Sequence, residues 1–198
     1  MITSTDTTAD LLEVVLAELE AVVGGVADEQ LRHSTPCSEF DVQQLRNHIL
    51  GWLSTFAAGF AHPEGRAPRD GIDNCQPPVD PARGVRVAAE QLVRALRDGA
   101  ANRPLWLGDN AMPGAVALSM ILWEYQVHGW DLARATGQPW DPPAAAARES
   151  LAFAPAMLTA DYQGEGKAFA NPVEVPADAP AFDRLLGLSG RDPGWSRD

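Results

Sequence analysis

The stretch WEYQVHGWD at residues 123–131 decides the fold expected of this chain. It lies in a long apolar segment and places Glu124 four residues before His128, so that both side chains project from one face of a helix. Asp131 follows about one turn later. A second apolar segment, far away in the sequence, carries His48. We expect these two helices to pack together, because each places polar side chains on the stripe that periodicity assigns to the interior.

The composition is typical of a globular protein. A chain of 198 residues that is 45% hydrophobic is long enough to bury a sizeable core, and we expect one domain over residues 1–198. A net charge of -12 without a cluster of Lys or Arg argues against a nucleic acid partner. No apolar run reaches the roughly 20 residues that span a bilayer, so we expect no membrane partner and a cytoplasmic location. Cys37 and Cys75 are expected to be reduced rather than disulfide-bonded.

Hydrophobic periodicity predicts an all-α protein. Four core helices are expected at about 9–23, 42–60, 81–97 and 113–136. Asp41 and Gln44 form a capping-box pattern that opens the second of these helices. An extra helix is expected at about 143–159 and a short one near 181–188. Strand-like alternation is confined to short pieces such as residues 173–175.

Two predicted connections are long. Residues 61–79 are rich in proline, glycine and charge and have no periodicity, so we predict a surface loop. Loops of this length are often lids or binding loops, and an ordinary surface excursion is the alternative. Because this loop follows the helix that carries His48, we expect it to border the mouth of a metal pocket that includes His48. Residues 99–112 are predicted to form a second loop.

The polar residues on the two apolar stripes favour a metal site. An ionised carboxylate among apolar side chains is costly to desolvate unless it has a partner or a metal. His48, Glu124 and His128 form a His-Glu-His set, which suits zinc, with nickel or iron(II) as alternatives. Three protein ligands leave positions open for water or substrate, as in catalytic sites. Asp131 is either a fourth ligand or orients a histidine by accepting its ring N–H.

Plainer interpretations fit the same histidines. A single histidine on an apolar face is more often a hydrogen-bonded core residue, and the spacing of Glu124 and His128 also suits an intrahelical pair. The other two histidines, His33 and His62, lie in predicted loops and are expected to be solvated.

The aromatic residues near these motifs have two readings as well. Trp52 and Phe56 are candidates for the wall of a pocket, although aromatic residues at helical spacing more often fill a core, as we expect of Trp123 and Trp130. The sequence contains no glycine-rich phosphate loop, no recognisable Ser-His-Asp arrangement and no CxxC pair. No catalytic residue is therefore assigned from the sequence.

Several motifs together carry a resemblance to a known family. They are TPCSEF at 35–40, Asn47-His48 with Trp52-Leu53, EYQV at 124–127 followed by HGWDLARATG at 128–137, Val175-Pro176, and DRLL at 183–186. The chain resembles an actinobacterial branch of the DinB-like superfamily that is related to the metal-binding N-terminal domain of mycothiol-dependent maleylpyruvate isomerase. The resemblance implies a four-helix bundle with long crossover connections and short C-terminal additions. It also implies a divalent metal held by His48, Glu124 and His128.

The leading functional interpretation is a metal- and thiol-dependent transferase or isomerase-like enzyme that acts on a small-molecule thiol or electrophile. An open metal position lowers the pKa of a bound thiol as it does that of water. The identity of the thiol as mycothiol comes from the resemblance alone. The alternatives are a metal-dependent hydrolase and a non-catalytic, metal-stabilised bundle that binds a small ligand or a protein partner. The sequence leaves the oligomeric state open, with a homodimer among the options.

The resemblance also has departures. The isomerase carries a second, C-terminal domain that contributes an arginine to its active site, and the residues after Asp161 are too few to replace that domain. Phe40 stands where relatives often have tryptophan. Isomerisation of maleylpyruvate is therefore not the reaction we expect.

Overall fold

The computed structural model describes residues 4–68, 78–159, 163–164 and 169–197. This part of the chain forms the helices α1 (Thr5–Gly24), α2 (Val42–Ala61), α3 (Pro81–Arg97), α4 (Gly114–Thr136), α5 (Ala144–Met157) and α6 (Ala181–Leu188). The strands β1 (Leu105–Leu107) and β2 (Asn110–Met112) pair in antiparallel fashion. The fold is all-α and DinB-like, as predicted.

Local capping explains where the helices begin and end. The Asp41 carboxylate accepts from the Gln44 N–H at 2.8 Å, and the Gln44 side chain accepts from the Asp41 N–H at 2.9 Å, which confirms the predicted capping box of α2. Helix α4 ends at Thr136 and is capped by Gly137, whose φ of 73° favours glycine. Helix α1 begins four residues earlier than predicted, because the Ser4 hydroxyl caps a polar first turn that periodicity does not reveal.

Two apolar clusters hold the helices together. Helix α1 packs against α3 and α4, while α2 packs against the same two helices, and their buried side chains form the main cluster. A second cluster joins α4 to α5 and α6 around Trp123, Trp130 and Leu185. Both tryptophans are therefore core residues, as predicted. The two clusters leave one side of α2 and α4 to the residues that form the candidate site.

The prediction of an uninterrupted loop over residues 99–112 was wrong. Strands β1 and β2 form a hairpin there, and Gly108 in its turn has a φ of 63°. Strands of three residues are too short to produce a recognisable alternation in sequence. Conversely, residues 173–175 belong to no strand, and the Val173 N–H donates to the Gly187 carbonyl at 2.8 Å.

Near its described start, the 61–79 segment forms backbone hydrogen bonds with strand β1 of this hairpin. The Ala67 N–H donates to the Trp106 carbonyl at 3.0 Å, and the Trp106 N–H donates to the Gly65 carbonyl at 2.8 Å. Helix α2 itself extends to Ala61. Among the described residues, no helix combines the length and the apolar character needed to cross a membrane.

Candidate metal centre

Three potential metal donors meet where α2 faces α4. Helix α2 contributes His48, and helix α4 contributes Glu124 and His128 from consecutive turns. The Nε2 atoms of His48 and His128 lie 3.3 Å and 3.5 Å from the same Glu124 oxygen, Oε1. Each pair of donor atoms in the trio is within 4.8 Å. The prediction that His48 lies beside Glu124 and His128 is confirmed, and their role as metal ligands stays a prediction.

The donors are neither fully buried nor freely solvated. The side chains of His48 and Glu124 are 23% and 21% exposed, and that of His128 is 11% exposed. Phe40 covers them from one side, with its ring centroid 4.8 Å from that of His48 and 6.4 Å from that of His128. Burial by itself would raise the pKa of Glu124, but the neighbouring histidines and Arg191 outweigh it and lower that pKa. Glu124 therefore favours the ionised form that a metal ligand requires.

Asp131 lies on the other side of the His128 ring from Glu124. Its carboxylate is fully buried, and its Oδ2 is 3.0 Å from Nδ1 of His128. This contact fits a His128 tautomer that donates from Nδ1 to the carboxylate, and it leaves Nε2 directed at the donor cluster. The geometry therefore matches the orienting role that the sequence analysis gave as one of two options for Asp131.

Arg191 completes this arrangement, and the sequence analysis missed it. Its side chain is only 7% exposed, and its Nη2 donates to Asp131 Oδ2 at 3.0 Å. Its Nη1 donates to the Ser189 carbonyl at 2.7 Å, while the Ser189 hydroxyl accepts from Trp123 Nε1 at 2.9 Å. Burial opposes the charge on Arg191, but the adjacent carboxylate of Asp131 prevails and raises its pKa. The chain after Asp161 thus brings an arginine to the site.

A cavity of about 710 Å³ opens beside the donors. Its wall includes the predicted pocket residues Trp52 and Phe56, whose rings are stacked with centroids 5.2 Å apart and planes at 23°. Residues of the 36–40 turn, the hairpin and the C-terminal segment complete the wall. A volume of this size falls in the range of small-molecule sites.

Cys37 also lines this cavity and belongs to a second cluster of potential donors, with His128 and Asp131. Its thiol is free and buried, and the Thr35 hydroxyl holds the turn around it by donating to the Cys37 carbonyl at 2.8 Å. Burial raises the pKa of Cys37 to about 11, against a smaller lowering by Arg191. A neutral thiol and an aspartate already bonded to Arg191 make this second cluster the weaker metal site.

Other sequence candidates lie away from the donors. His62 is exposed at the end of α2, where its Nδ1 accepts from the Glu64 N–H at 3.1 Å. His33 is half-buried, with its Nδ1 2.6 Å from Nη1 of Arg197. The described ends of the proposed lid, 62–68 and 78–79, do not line the cavity, and residues 69–77 of that lid lie outside the described part of the chain.

Comparison with known proteins agrees with this architecture. Residues 12–133 match the family described as "Mycothiol maleylpyruvate isomerase N-terminal domain", and that range contains all three donors. The chain is 32% identical over 172 residues to the uncharacterized proteins Rv0738 and MT0763 of Mycobacterium tuberculosis strains ATCC 25618 / H37Rv and CDC 1551 / Oshkosh. In both cases the match covers 86% of this chain and 90% of the relative. No solved structure matches significantly. The chain therefore belongs to the mycothiol maleylpyruvate isomerase N-terminal domain family.

Proposed function

We propose that this protein is a metal- and thiol-dependent enzyme, a transferase or isomerase-like catalyst, in which His48, Glu124 and His128 hold a divalent metal and mycothiol is the thiol. Zinc is the metal that we favour. The observation that carries the proposal is the convergence of three donors from two helices at the edge of an open cavity.

The spacing of the donors suits a shared ion. Two donors bound to zinc at about 2.1 Å in tetrahedral geometry lie roughly 3.4 Å apart. The two distances from Glu124 Oε1 to the histidine Nε2 atoms, 3.3 Å and 3.5 Å, agree with that separation. Two imidazole nitrogens and one carboxylate oxygen are also a common donor set of catalytic zinc sites.

The orientation of His128 is compatible with metal binding. With Nδ1 3.0 Å from Asp131 Oδ2, His128 turns its Nε2 towards Glu124 Oε1 at 3.5 Å, where this nitrogen can bind either a proton or a metal ion. Two electron-rich atoms that face each other in a partly buried site require a cation between them or an additional proton. A divalent ion satisfies both groups at once.

The surrounding residues have separate roles in this proposal. Asp131 fixes the tautomer and orientation of His128, and Arg191 balances the charge of Asp131. Phe40 covers the donors and limits the access of bulk water. A divalent metal in such a site would lower the pKa of a bound thiol and so supply a thiolate nucleophile at neutral pH. The cavity leaves room for the thiol and for an electrophile beside the donors.

The proposal is tested by metal analysis and by turnover. Wild-type protein should bind about one zinc ion per chain, whereas His48→Ala, Glu124→Gln and His128→Ala should lose most of it, because each removes or neutralises one donor. His62→Ala is the matched control, since it removes an exposed histidine away from the site. The zinc-loaded protein should conjugate mycothiol to a panel of electrophiles, and the three donor variants should lose that activity.

The alternatives give different results in the same assays. If the zinc-loaded protein hydrolyses esters or amides without any thiol, the protein is a metal-dependent hydrolase and not a thiol transferase. Tight zinc binding without thiol binding or turnover would identify a metal-stabilised bundle with no catalytic role. Full retention of zinc by Glu124→Gln would refute the assignment of Glu124 as a ligand.

A further inference from the structure

The cavity beside the donors has one entirely apolar part. On α2, His48, Trp52 and Phe56 follow one another at intervals of four residues, and all three line the cavity. On α4, Met120 precedes the donor Glu124 by the same interval and also lines it. Leu107 of the hairpin adds a further apolar side chain. We call Trp52, Phe56, Leu107 and Met120 the apolar subsite.

The apolar subsite begins directly next to the donors. The ring centroid of Trp52 is 6.4 Å from that of His48, and Phe56 stacks on Trp52 at 5.2 Å. Along α2, an interval of four residues corresponds to about 6 Å and one of eight residues to about 12 Å. The subsite therefore extends from the donors over a length that accommodates a group of one or two aromatic rings.

The side chains of the subsite present apolar surface to the cavity. Trp52, Met120 and Leu107 are each only half-buried, although they pack against the main core. The polar lining residues outside the donor trio come from other segments. Those residues are Cys37, Ser38, Glu39, Asn171 and Arg191. The cavity thus has an apolar wall formed by α2, α4 and the hairpin, and a mixed wall formed by the 36–40 turn and the C-terminal segment, which also contributes Phe169.

We infer that the apolar subsite binds an aryl or similarly flat apolar group of the electrophilic co-substrate, while the hydrophilic body of the thiol contacts the polar residues. This inference rests on the proposed function. In the reaction, the thiolate sulfur forms a bond to the electrophilic carbon. The bond from that carbon to its leaving group breaks, the leaving group departs with the electron pair, and the thiol proton passes to solvent. Stacked aromatic side chains favour a flat ring as the neighbouring group.

Conjugates of the thiol test the inference without requiring turnover. S-benzyl-mycothiol and S-methyl-mycothiol differ by one phenyl group. Calorimetry gives the dissociation constant of each conjugate for the zinc-loaded full chain, and the ratio of the two constants measures the contribution of the subsite. Burial of a phenyl group should make the benzyl conjugate bind about 10- to 100-fold more tightly. Trp52→Ala should remove at least about tenfold of that preference and leave the methyl conjugate nearly unchanged.

Two further variants complete this test, one as a second change in the subsite and one as a control. Met120→Gln replaces a half-buried side chain of similar length and should reduce the benzyl preference in the same direction, which covers the case in which Trp52→Ala fails to fold. Trp106→Ala is the matched control. Its ring lies on the same strand as Leu107 but packs against the Arg66 guanidinium, 4.7 Å from the ring centroid, and does not line the cavity. It should retain the full preference.

The outcomes separate this inference from the proposed function. Equal binding of both conjugates to the wild type, or a benzyl preference that survives in both Trp52→Ala and Met120→Gln, overturns the subsite and leaves thiol binding intact. Benzyl alcohol is the probe that contains no thiol, and its binding is measured by ligand-observed NMR. If neither conjugate binds but benzyl alcohol binds in a manner that depends on Trp52, the subsite stands and the thiol assignment fails. If benzyl alcohol also fails to bind, the subsite is refuted.

Discussion

Asp131 contacts one of the donor residues, His128, and the cation Arg191, but it is not itself one of the three converging donors. Its carboxylate is fully buried between the Nδ1–H of His128 and the guanidinium of Arg191. A buried carboxylate with two such partners is well compensated, whereas the loss of one partner leaves a charge without solvent or counter-ion. Replacement of Asp131 should therefore change metal affinity through the orientation of His128.

We predict that Asp131→Asn keeps the metal but weakens zinc binding about 10- to 100-fold, as is usual for residues that orient a ligand. The measurement is a competition titration of zinc against a chelator of known affinity. Asp10→Asn, an exposed aspartate on α1, is the control and should bind zinc like the wild type. Complete loss of zinc in Asp131→Asn would make Asp131 a ligand, and unchanged affinity would remove its proposed role.

Cys37 provides a second prediction at this scale. Burial raises its pKa to about 11, so the thiolate is scarce at neutral pH. In a Cys75→Ser background, iodoacetamide should alkylate native protein roughly a hundredfold more slowly at pH 8 than a cysteine-containing peptide of ordinary pKa near 8.5. The rate should rise about tenfold per pH unit from pH 7 to pH 9. A plateau within that range would contradict the raised pKa.

At the scale of elements, α2 is the helix that fixes His48 and the aromatic wall of the cavity. Its start is defined by Asp41, which accepts from the Gln44 N–H and also pairs with Arg32 at 2.9 Å. The backbone hydrogen bond from Gln44 is the main cause of the lowered pKa of Asp41. Because its folded-state pKa lies below its unfolded value, Asp41 contributes stability above the unfolded pKa and loses it as the pH falls through the folded pKa.

Asp41→Ala should therefore lower the free energy of unfolding by about 1 kcal/mol at pH 7. The difference between wild type and variant should shrink at pH values below about 4, where the carboxylate becomes protonated. Urea denaturation at pH 7 and at pH 3 measures both quantities. Asp41→Asn keeps a capping side chain and should be milder at pH 7, with a smaller dependence on acid. A pH-independent loss in Asp41→Ala would show that the charge is irrelevant to the cap.

At the scale of the whole molecule, the proposed centre links parts of the chain that are distant in sequence. His48 and Glu124 are 76 residues apart and are brought together by the packing of α2 and α4. An ion that binds only this folded arrangement stabilises it by mass action. Metal and tertiary structure should therefore be thermodynamically coupled.

Zinc at a free concentration of about 100 times its dissociation constant should raise the free energy of unfolding by about 2.7 kcal/mol. For a chain of this length, that corresponds to an increase in Tm of roughly 5–10 °C, measured by calorimetry before and after removal of zinc with a chelator. His48→Ala should abolish the increase, and His62→Ala should retain it. A Tm that does not respond to zinc in the wild type would contradict a site between α2 and α4.

The fold was predictable largely because its helices carry recognisable start signals and apolar stripes. Predicted bounds of 81–97 and 181–188 agree with those of α3 and α6, where a proline near the start and a clear apolar stripe mark the helix. The β hairpin was not predictable, because strands of three residues carry too little periodicity. Start signals and apolar stripes therefore determined which elements the sequence revealed.

The candidate site was predictable in part for a similar reason. His48, Glu124 and His128 stand out as polar residues on apolar stripes, so their juxtaposition was predictable from the sequence. Arg191 could not be found in this way, because it follows α6 in a short irregular segment with no periodic context. Its importance depends on a tertiary contact with Asp131 that sequence spacing does not encode.

The pairing of Asp131 with Arg191 has a consequence for anyone who wishes to transplant this centre. The segment by which the family is recognised, residues 12–133, includes Asp131 and all three donors but stops well before Arg191. A graft limited to that segment would carry the ligands while leaving a buried anion without its counter-ion. The host scaffold would have to supply its own cation at that position, or the designer would have to replace Asp131 with a neutral acceptor.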